Sequence, residues 1–365
     1  SRSRNKHSFN WIDPIKRMFI PRPTKEENKR FDMAERTFSF PDEYFSKFMD
    51  TITQEDFITY PSYAEYDSLK DDISVYNNVD RSNVYLSTGS GACIKSLCEI
   101  TMNTNSNVVS PVPCYPMYGI YGRIFGGKHI GVEYDDSIIF DLQKLIDSIN
   151  DDTSLVVISN PFSPIGEYKT IEEIRELCRV CASKDIILLI DEAYIDFAPE
   201  TLLPLIHNFD NVVISRTFSK AFGAAGIRVG YLLGSQKLID VVTKVQLTYP
   251  LSNVSVKFAS HLLNNWDEVA TYAYNTILGR ENLCEILSGG GYDVINSHTN
   301  SIHFHEKDGD NSETVSIMNH YGLAFKSGDT KTGTPVTIPG DDRKTWIRLS
   351  VGPNIDRMKF VGDIV

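Results

Sequence analysis

The stretch I-S-R-T-F-S-K-A-F-G-A-A-G-I-R-V-G-Y-L-L-G, residues 214 to 234, decides the fold. It begins with an apolar run, continues into a polar turn with Thr217, Ser219 and Lys220, and carries Arg228 eight residues after the lysine. A lysine amine can form a Schiff base with an aldehyde, while hydroxyls and a guanidinium can bind a phosphate dianion. The stretch therefore predicts the binding of an aldehyde that carries a phosphate. Taken alone, it is better explained as a surface lysine on a glycine-rich turn, and the companion residues decide between the two.

Short apolar strands alternate with helical segments from residue 84 up to this stretch. The predicted strands are 84–87, 107–110, 129–134, 155–160 and 186–191, and the opening stretch supplies 212–215 and 229–233. This alternation is typical of an α/β fold with a mostly parallel sheet flanked by helices. Ligands of such sheets bind beyond the carboxyl ends of the strands. Asn160 and Asp191 each end a predicted strand, and Lys220 and the turn at 88–91 each follow one, so all four obey this rule.

The chain beyond the opening stretch predicts helices up to about Ala273, interrupted at Pro250, and then a smaller α+β unit. That unit has a predicted helix at 274–287, predicted strands at 301–305, 323–326 and 346–351, and a polar loop at 327–343. We predict an N-terminal arm with part of the small domain at 1–50, a large cofactor-binding domain at 51–255, and a small C-terminal domain at 256–365.

The 365-residue chain has an ordinary globular composition and a net charge of −12. This acidic balance argues against nucleic acid and anionic membranes as partners. The six cysteines lack the spacing of a disulfide framework, and Cys178-x-x-Cys181 lacks the second ligand pair of a zinc site. We therefore expect reduced cysteines, no metal and a cytoplasmic location. The first residues, S-R-S-R-N-K, fit a tag remnant, a processed terminus or a fusion to an upstream domain.

Polar residues at the predicted strand ends have the chemistry that binds a pyridine ring with a phosphate. Asp191 follows five aliphatic residues, where a carboxylate is costly unless it pairs with a cation such as a pyridinium nitrogen. Tyr194 and Asn160 can hydrogen-bond a ring hydroxyl, and Tyr115 can stack on the ring. The turn T-G-S-G at 88–91 opens a helix whose free amides suit a phosphate. Each residue also has an ordinary explanation as a cap, a turn or a core residue, but their common position favours a site.

A series of motifs extends over most of the chain. In order, it reads Y-P at 60, T-G-S-G at 88, P-C-Y-P-M-Y at 113, S-N-P-F-S-P-I-G at 159, D-E-A-Y-I-D-F at 191, R-T-F-S-K-A-F-G-A-A-G-I-R-V-G-Y at 216 and W-I-R-L-S-V-G at 346. This series resembles the class I/II aminotransferases, which are fold-type I enzymes that depend on pyridoxal phosphate. Within that class, it is most similar to the histidinol-phosphate aminotransferase branch. The resemblance covers about Phe31 to the C-terminus and is most specific around Asp191 and Lys220.

The resemblance implies a role for each predicted cofactor residue. Lys220 would hold the cofactor aldehyde and shuttle the substrate Cα proton, with Asp191 on the pyridine nitrogen. Tyr194 and Asn160 would contact the ring hydroxyl, and Tyr115 would stack. The residues implied for the phosphate are Ser90, Gly91, Thr217, Ser219 and Arg228, together with Tyr60 from the other subunit. The active unit would therefore be a homodimer with shared active sites.

The substrate site departs from the branch more than the cofactor site does. The resemblance implies that Arg348 clamps the substrate carboxylate through a bidentate pair. The Asn-Glu-Asn-Pro element of the branch reads Ala34-Glu35-Arg36-Thr37 here, which keeps only the glutamate. Lys326 stands where the branch places an arginine for the substrate phosphate, and Ile165 replaces a threonine. The resemblance therefore predicts the cofactor but leaves the substrate open.

We expect an aminotransferase with glutamate as amino donor and a small substrate that bears a phosphate or phosphonate. The predicted substrate-binding residues are Glu35, Arg36, Lys326 and Arg348. Three of them are cations in an acidic protein, although Arg36 and Lys326 are also explained as surface charges. The alternative is a decarboxylase of phosphoserine or phosphothreonine, because the same cofactor can cleave another Cα bond. A sensor domain without enzymatic activity would need a basic upstream DNA-binding segment, which these residues do not contain.

Overall fold

The computed structural model of the chain describes residues 9–19, 29–328 and 336–365. Much of the predicted arm at 1–30 and the centre of the predicted loop at 327–343 lie outside the described residues. The helices are α1 (Asp42–Met49), α2 (Glu55–Ile58), α3 (Tyr63–Asn77), α4 (Ser90–Thr101), α5 (Met117–Ile124), α6 (Leu142–Asp147), α7 (Ile171–Ser183), α8 (Gln236–Thr243), α9 (Asn253–Asn264), α10 (Asp267–Gly289), α11 (Ser312–His320) and α12 (Lys359–Ile364). The strands are β1 (Val84–Ser87), β2 (Asn107–Val112), β3 (Lys128–Glu133), β4 (Thr153–Ser159), β5 (Ile187–Asp191), β6 (Val212–Thr217), β7 (Gly230–Gly234), β8 (Tyr292–Ile295), β9 (Ser301–Glu306), β10 (Lys326–Ser327) and β11 (Ile347–Ser350). Within these described ranges, no helix combines the length and apolarity needed to cross a membrane.

A seven-stranded sheet in the order β1-β7-β6-β5-β4-β2-β3 forms the centre of the fold. Strands β2 to β6 run parallel, and α5, α6 and α7 connect successive members of this set. The predicted α/β fold with a mostly parallel sheet is therefore confirmed. β7 is antiparallel to both β6 and β1, because the connection between β6 and β7 holds only a short 3-10 turn and no crossover helix.

Both faces of this sheet are covered by apolar side chains. Val156 and Ile158 of β4 lie in one cluster together with α7, while Leu155 and Val157 lie in a second cluster together with α4. Burial on both faces explains why these strands read as nearly continuous apolar runs. The cysteines of the C-x-x-C pair on α7 are buried free thiols in the first cluster, as expected for structural cysteines.

The register of β4, β5 and β6 brings their carboxyl ends to the same edge of the sheet. Ser159 pairs with Asp191, and Asp191 pairs with Ser215. The Asn160 amide donates a hydrogen bond of 2.9 Å to the carbonyl of Asp191. The segments that follow these three strands, including the one with Lys220, therefore start side by side, which is where such sheets bind ligands.

A second, antiparallel sheet has the order β10-β11-β9-β8. The predicted strands at 301–305 and 346–351 correspond to β9 and β11. Of the strand predicted at 323–326, only Lys326 lies in a strand, namely β10. The sequence prediction omits β8, whose four residues give too short a pattern to distinguish from a turn. The Phe31 amide donates to the Ala324 carbonyl, and the Phe31 carbonyl accepts from the Ser350 amide, both at 2.8 Å. The segment near Phe31 therefore lies against this second sheet.

Helix α10 spans the two sheets. It begins at Asp267 rather than at the predicted residue 274, since no helix breaker separates the two positions. Its early residue Val269 lies in the first apolar cluster, and its late residues Leu283 and Leu287 lie in the cluster under the second sheet. Because α9 also packs in the first cluster, we propose that the boundary between the two units falls within α10 instead of at residue 255.

A buried ion pair fixes the strand ends that carry the predicted site. Arg216 Nε donates to Glu192 Oε1 at 2.9 Å, and both side chains are almost fully buried. Thr201 and the Leu202 amide also donate to the glutamate, and Asn77 accepts from the arginine at 3.1 Å. This pair directly follows Asp191 and Ser215 in the sequence, so it holds the ends of β5 and β6 together.

Glu192→Gln is expected to lower the free energy of unfolding by about 3–5 kcal/mol, because it leaves the Arg216 charge buried without a counter-ion. The matched control is Glu43→Gln in the exposed pair with Lys47, for which we expect a loss below about 0.5 kcal/mol. Chemical denaturation of both variants measures the difference. Equal losses in the two variants would contradict a structural role for the buried pair.

Candidate active site

Asp191, the last residue of β5, lies at the centre of the candidate site. Its buried carboxyl accepts hydrogen bonds from Tyr118 Oη at 2.5 Å, from Ser215 Oγ at 3.1 Å and from the Ala193 amide at 3.1 Å. Burial raises the pKa of this carboxyl, whereas the hydrogen bonds and the nearby charge of Lys220 act in the opposite direction. A carboxyl group in this environment is stabilised as a carboxylate when a cation enters the site.

Lys220 lies just beyond β6, within reach of the N-terminal segment and of Tyr194. Its Nζ donates a hydrogen bond of 2.9 Å to the Met33 carbonyl and lies 5.5 Å from the centre of the Tyr194 ring. Burial raises the pKa of Tyr194, but the charges of Lys220 and Arg348 outweigh it, so the pKa lies below its usual value. A phenol with a lowered pKa donates a strong hydrogen bond to an anionic oxygen.

A polar cluster, called the Arg228 cluster, joins the N-terminus of α4 to the connection from β6 to β7 and contains Arg228, Ser219 and the first residues of α4. Arg228, which has a left-handed backbone with φ of 54°, donates from Nη1 to Ser219 Oγ at 3.3 Å. A methyl group on Gly89 would lie 2.5 Å from Arg228 Nη2, so only glycine lets the guanidinium reach this turn. Ser90 and Gly91 begin α4, where the amides have no acceptor within the helix. Guanidinium, hydroxyl and free amides together form the arrangement of a phosphate site.

Tyr115 precedes α5 and lies beside the Arg228 cluster. A methyl group on Gly91 would lie 3.5 Å from its hydroxyl, and its ring packs edge-on against Tyr118 with a centroid distance of 5.6 Å. Burial raises the pKa of Tyr115 to about 12, so the phenol stays neutral in the working pH range. The ring therefore offers an uncharged face beside the phosphate-binding turn.

Asn160 and Thr217 are buried at the ends of β4 and β6. The Asn160 side chain bonds the backbone amide and the carbonyl of Lys169, both at 2.9 Å. Since the side-chain amide carries two hydrogens, one of them is left for a ligand. Thr217 Oγ1 accepts from the Ser219 amide at 3.0 Å and thereby shapes the turn before Lys220.

Strands β10 and β11 place Lys326 and Arg348 opposite each other on one face of the second sheet. Burial lowers the pKa of Lys326, and the charge of Arg348 lowers it further, while Tyr194 and Asp32 act in the opposite direction. Lys220 also contributes to this field. The two predicted substrate cations therefore share one electrostatic environment with the residues around Asp191.

Arg36, the third predicted substrate cation, is engaged elsewhere. Its guanidinium lies between the rings of Phe40 and Tyr272, 4.1 Å from each centroid, and pairs with Glu268 at 3.0 Å. It therefore clamps the N-terminal segment onto the start of α10. These contacts do not group Arg36 with the other two cations.

Glu35 and Tyr60 also have partners within the chain. Glu35 pairs with Arg30 at 3.0 Å. The Tyr60 side chain is 78% exposed and stacks on Tyr249, with ring centroids 4.5 Å apart. The single chain thus leaves the Tyr60 hydroxyl on an outer surface.

A separate cavity of about 760 Å3 lies on the Arg216 side of β6, lined in part by Tyr76, Asp196 and Trp266. Neither Lys220 nor Asp191 lines it, so we locate the candidate site by the convergence of chemical groups rather than by cavity size. Across the described ranges, no group of three or more His, Cys, Asp or Glu side chains is arranged to hold a metal.

Sequence reasoning missed four residues of this region. The Tyr118 hydroxyl donates to Asp191, and the Met33 carbonyl accepts from Lys220. Ser163 lowers the pKa of Tyr194, and the charge of Asp32 raises the pKa of Lys326. The sequence contained a pattern that could have identified Tyr118 as a site residue. Tyr118 lies three residues after Tyr115 in the same motif, a spacing that places two side chains on one side of a helical turn. No sequence pattern could have identified the Met33 carbonyl, because a backbone acceptor is present in every residue type.

A protein-family model described as "Aminotransferase class I and II" matches residues 34–360. The chain belongs to this aminotransferase family. The match confirms the resemblance that the ordered motifs predicted, and it covers both sheets and all the predicted site residues of the described core.

Two relatives of this aminotransferase chain match it over most of its length. The histidinol-phosphate aminotransferase of Caldanaerobacter subterraneus subsp. tengcongensis is 28% identical over 277 residues, covering 75% of this chain and 77% of that protein. That of Clostridium novyi is 24% identical over 351 residues, covering 95% and 94%.

Solved structures show the same fold. The histidinol-phosphate aminotransferase from Sinorhizobium meliloti, in complex with pyridoxal-5'-phosphate, has a TM-score of 0.82 at 20% identity, covering 100% of this chain and 98% of that one. The L-threonine-O-3-phosphate decarboxylase from Porphyromonas gingivalis has a TM-score of 0.70 at 17% identity, covering 88% and 93%. At these identities, the two likenesses establish the fold and leave the substrate to other arguments.

Proposed function

We propose that the chain is a pyridoxal-phosphate-dependent aminotransferase that acts on a small amine or amino acid bearing a phosphate or phosphonate, with glutamate and 2-oxoglutarate as co-substrates. The observation that carries the proposal is the convergence of an amine, a buried carboxyl and a cluster of anion-binding groups at one sheet edge. These groups are Lys220, Asp191 and the Arg228 cluster. They match the aldehyde, the ring nitrogen and the phosphate of the cofactor.

The residues fit this cofactor at the positions where it is charged. Burial makes the ionised Asp191 costly without a cation, and a pyridinium nitrogen supplies one. Gly89 leaves room for Arg228 to face the free amides of α4, where a phosphate gains both charge pairing and hydrogen bonds. The neutral Tyr115 ring suits packing against a flat aromatic group.

The side chains divide the work of the reaction. Pyridoxal phosphate, when bound, supplies an aldehyde for the substrate amine and a ring that accepts the electrons of a Cα bond. Lys220 Nζ accepts the proton from the substrate Cα and returns it as a general acid. Asp191 would keep the ring nitrogen of the bound cofactor protonated, and Tyr194 would donate a hydrogen bond to its ring oxygen. Arg348 binds the substrate carboxylate in a bidentate pair and so orients the Cα–H bond.

The phosphate-bearing substrate is supported by the pair of cations on the second sheet. Lys326 and Arg348 lie opposite each other, and burial makes the lysine charge costly without an anion. One cation suffices for the carboxylate of an amino acid. The second therefore favours a substrate with a further anionic group.

The proposal is tested with purified protein reconstituted with pyridoxal phosphate. L-glutamate without an acceptor is expected to give one equivalent of 2-oxoglutarate per site. The value of kcat/KM for phosphorylated amines is expected to exceed that for their dephosphorylated counterparts by about 10-fold or more. The reason is that a hydrogen bond to a charged group contributes about 1.5–3 kcal/mol. Release of no keto acid from glutamate or any phosphorylated amine sinks the proposal.

The second candidate is a decarboxylase of a phosphorylated amino acid. It is favoured by the structural likeness to the decarboxylase from Porphyromonas gingivalis and by the same two cations on the second sheet. Incubation with O-phospho-L-threonine and no keto acid separates the two functions. Release of carbon dioxide favours the decarboxylase, whereas formation of 2-oxoglutarate from glutamate favours the aminotransferase.

A homodimer with shared sites is supported by an exposed aromatic surface around Tyr60. Large apolar side chains of this surface are more than half exposed, namely Phe57, Ile58, Tyr60, Tyr63 and Leu247. Tyr60 and Tyr63 both stack on Tyr249 and so make the surface continuous. Contiguous apolar surface of this kind marks a contact with another protein. In a twofold dimer, the Tyr60 hydroxyl would reach the phosphate site of the partner.

Subunit mixing tests the shared sites. Tyr60→Phe is expected to weaken cofactor binding by about 10–100-fold, since it removes a hydrogen bond to a charged phosphate. At limiting cofactor, a mixture of Tyr60→Phe and Lys220→Ala chains is expected to recover about one quarter of wild-type activity, because half of the dimers are mixed and each has one intact site. The recovered activity is measured after re-association at equal concentrations. If the mixture is no more active than the two separate variants, the claim that both subunits contribute to each active site is contradicted.

A further inference from the structure

Two histidines on the same face of β9 have opposite surroundings. His303 and His305 are 2% and 1% exposed and point to the same side, because alternate residues of a strand share a face. His305 bonds Thr345 Oγ1 through Nε2 at 2.8 Å and the Glu306 carbonyl through Nδ1 at 2.6 Å. The Nδ1 atom of His303 is buried and has no hydrogen-bond partner within the described ranges. An unpaired buried nitrogen destabilises the fold, so a function of this nitrogen would explain its presence.

The position of His303 in the second sheet indicates what this nitrogen serves. His303 lies directly opposite Arg348 of β11, and Arg348 lies opposite Lys326 of β10. Ile302 and Phe304, its neighbours along the strand, point into the apolar cluster on the other face. A row of three nitrogen-bearing side chains thus crosses the polar face of the sheet.

Arg348 lies at the centre of this row. In the part of the chain that the structure describes, it forms no ion pair with a carboxylate, although its charge lowers the pKa of both His303 and Tyr194. Burial and this charge lower the pKa of His303 to about 3, so the ring is neutral in the working pH range. A neutral imidazole has one nitrogen that accepts a hydrogen bond, and it neither repels a guanidinium nor neutralises it.

We propose that His303 is a positioning residue for the substrate carboxylate. When a substrate carboxylate binds, one edge of the Arg348 guanidinium would donate to this unpartnered Nδ1, and the other edge would form the bidentate pair with the carboxylate. A carboxylate at this position would instead bind Arg348 permanently and withdraw it from the substrate. The inference rests on the proposed function in taking Arg348 as the carboxylate-binding residue.

The test compares His303→Leu, His303→Gln and the matched control His305→Gln. His303→Leu is expected to raise KM for L-glutamate by about 10-fold or more with kcat unchanged, because it removes an interaction used equally in the ground and transition states. Its melting temperature is expected not to fall, since it deletes an unpaired buried nitrogen. His303→Gln restores an acceptor and is expected to recover most of the affinity. His305→Gln is expected to leave KM unchanged.

Calorimetric binding of glutarate, a dicarboxylate without an amine, separates this inference from the proposed function. Glutarate is expected to bind the cofactor-loaded wild type about 10-fold more tightly than His303→Leu. If the wild type binds glutarate more tightly than His303→Leu does but releases no 2-oxoglutarate from glutamate, the positioning role holds and the proposed function fails. If glutamate turns over with KM unchanged in His303→Leu, or if His305→Gln raises KM equally, the positioning role is overturned.

Discussion

Lys220→Ala is expected to reduce kcat for transamination by at least about 10⁴-fold, the largest effect of any single substitution that we predict. The substitution removes both the amine that bonds the cofactor aldehyde and the group that moves the substrate Cα proton. Asp191 and the Arg228 cluster remain in place, so the variant is expected to retain the cofactor without a covalent bond. Single-turnover formation of 2-oxoglutarate from glutamate measures the loss.

Lys237→Ala is the matched control for this prediction. Lys237 lies on the exposed side of α8, away from the carboxyl ends of the parallel strands, and its removal is expected to leave kcat unchanged. A Lys220→Ala protein that keeps more than about a tenth of wild-type kcat would show that another group moves the proton.

Asp191→Asn is expected to lower kcat by about 10²–10³-fold, the cost typical of removing one preorganised electrostatic partner. The amide has nearly the shape of the carboxyl, but it cannot keep a ring nitrogen protonated. In the cofactor-free protein, the same substitution is expected to raise the melting temperature at neutral pH. A gain in stability together with a loss of activity is the signature of a residue held in a strained state for function.

The sign of the stability change follows from the pKa of Asp191. Burial raises this pKa in the folded state, so the folded protein binds the proton more tightly than the unfolded chain does. Stability therefore falls as the pH rises from the unfolded pKa, about 4, through the folded pKa. The asparagine variant lacks this fall, and added pyridoxal phosphate removes it from the wild type. Thermal unfolding at a series of pH values from about 4 to about 8, with and without the cofactor, measures this loss of stability. An asparagine variant less stable than the wild type at about pH 7 without cofactor would contradict the predicted gain in stability.

The sequence allowed the cofactor half of the site to be predicted because its residues are tied to strand ends. Two apolar runs end in Asn160 and Asp191, and the polar turn with Lys220 follows a third run. When these strands run parallel, all three side chains lie at the same edge of the sheet. The Gly89 turn was readable as a helix start with free amides. Each prediction needed only local pattern and one rule of topology.

The substrate half could not be predicted in the same way because it depends on contacts between distant segments. Arg36 was grouped with Lys326 and Arg348 by its charge and by its position in the motif at 34–37. In the structure, its guanidinium contacts Tyr272 and Glu268 of α10, and no local pattern in the sequence indicates these contacts. The contact of Lys220 with the Met33 carbonyl joins residues that are 187 positions apart in the sequence. No local pattern encodes such a contact, and the row formed by His303 became visible only through the strand register.

Reduction with borohydride tests the central claim most directly. The cofactor-loaded protein is reduced, digested and mapped by mass spectrometry. We predict a single modified peptide in which Lys220 carries the mass of the reduced cofactor, and no such peptide from Lys220→Ala. Modification of a different lysine, or a reduced protein in which Lys220 remains free, would contradict the claim that the stretch at 214–234 anchors the cofactor.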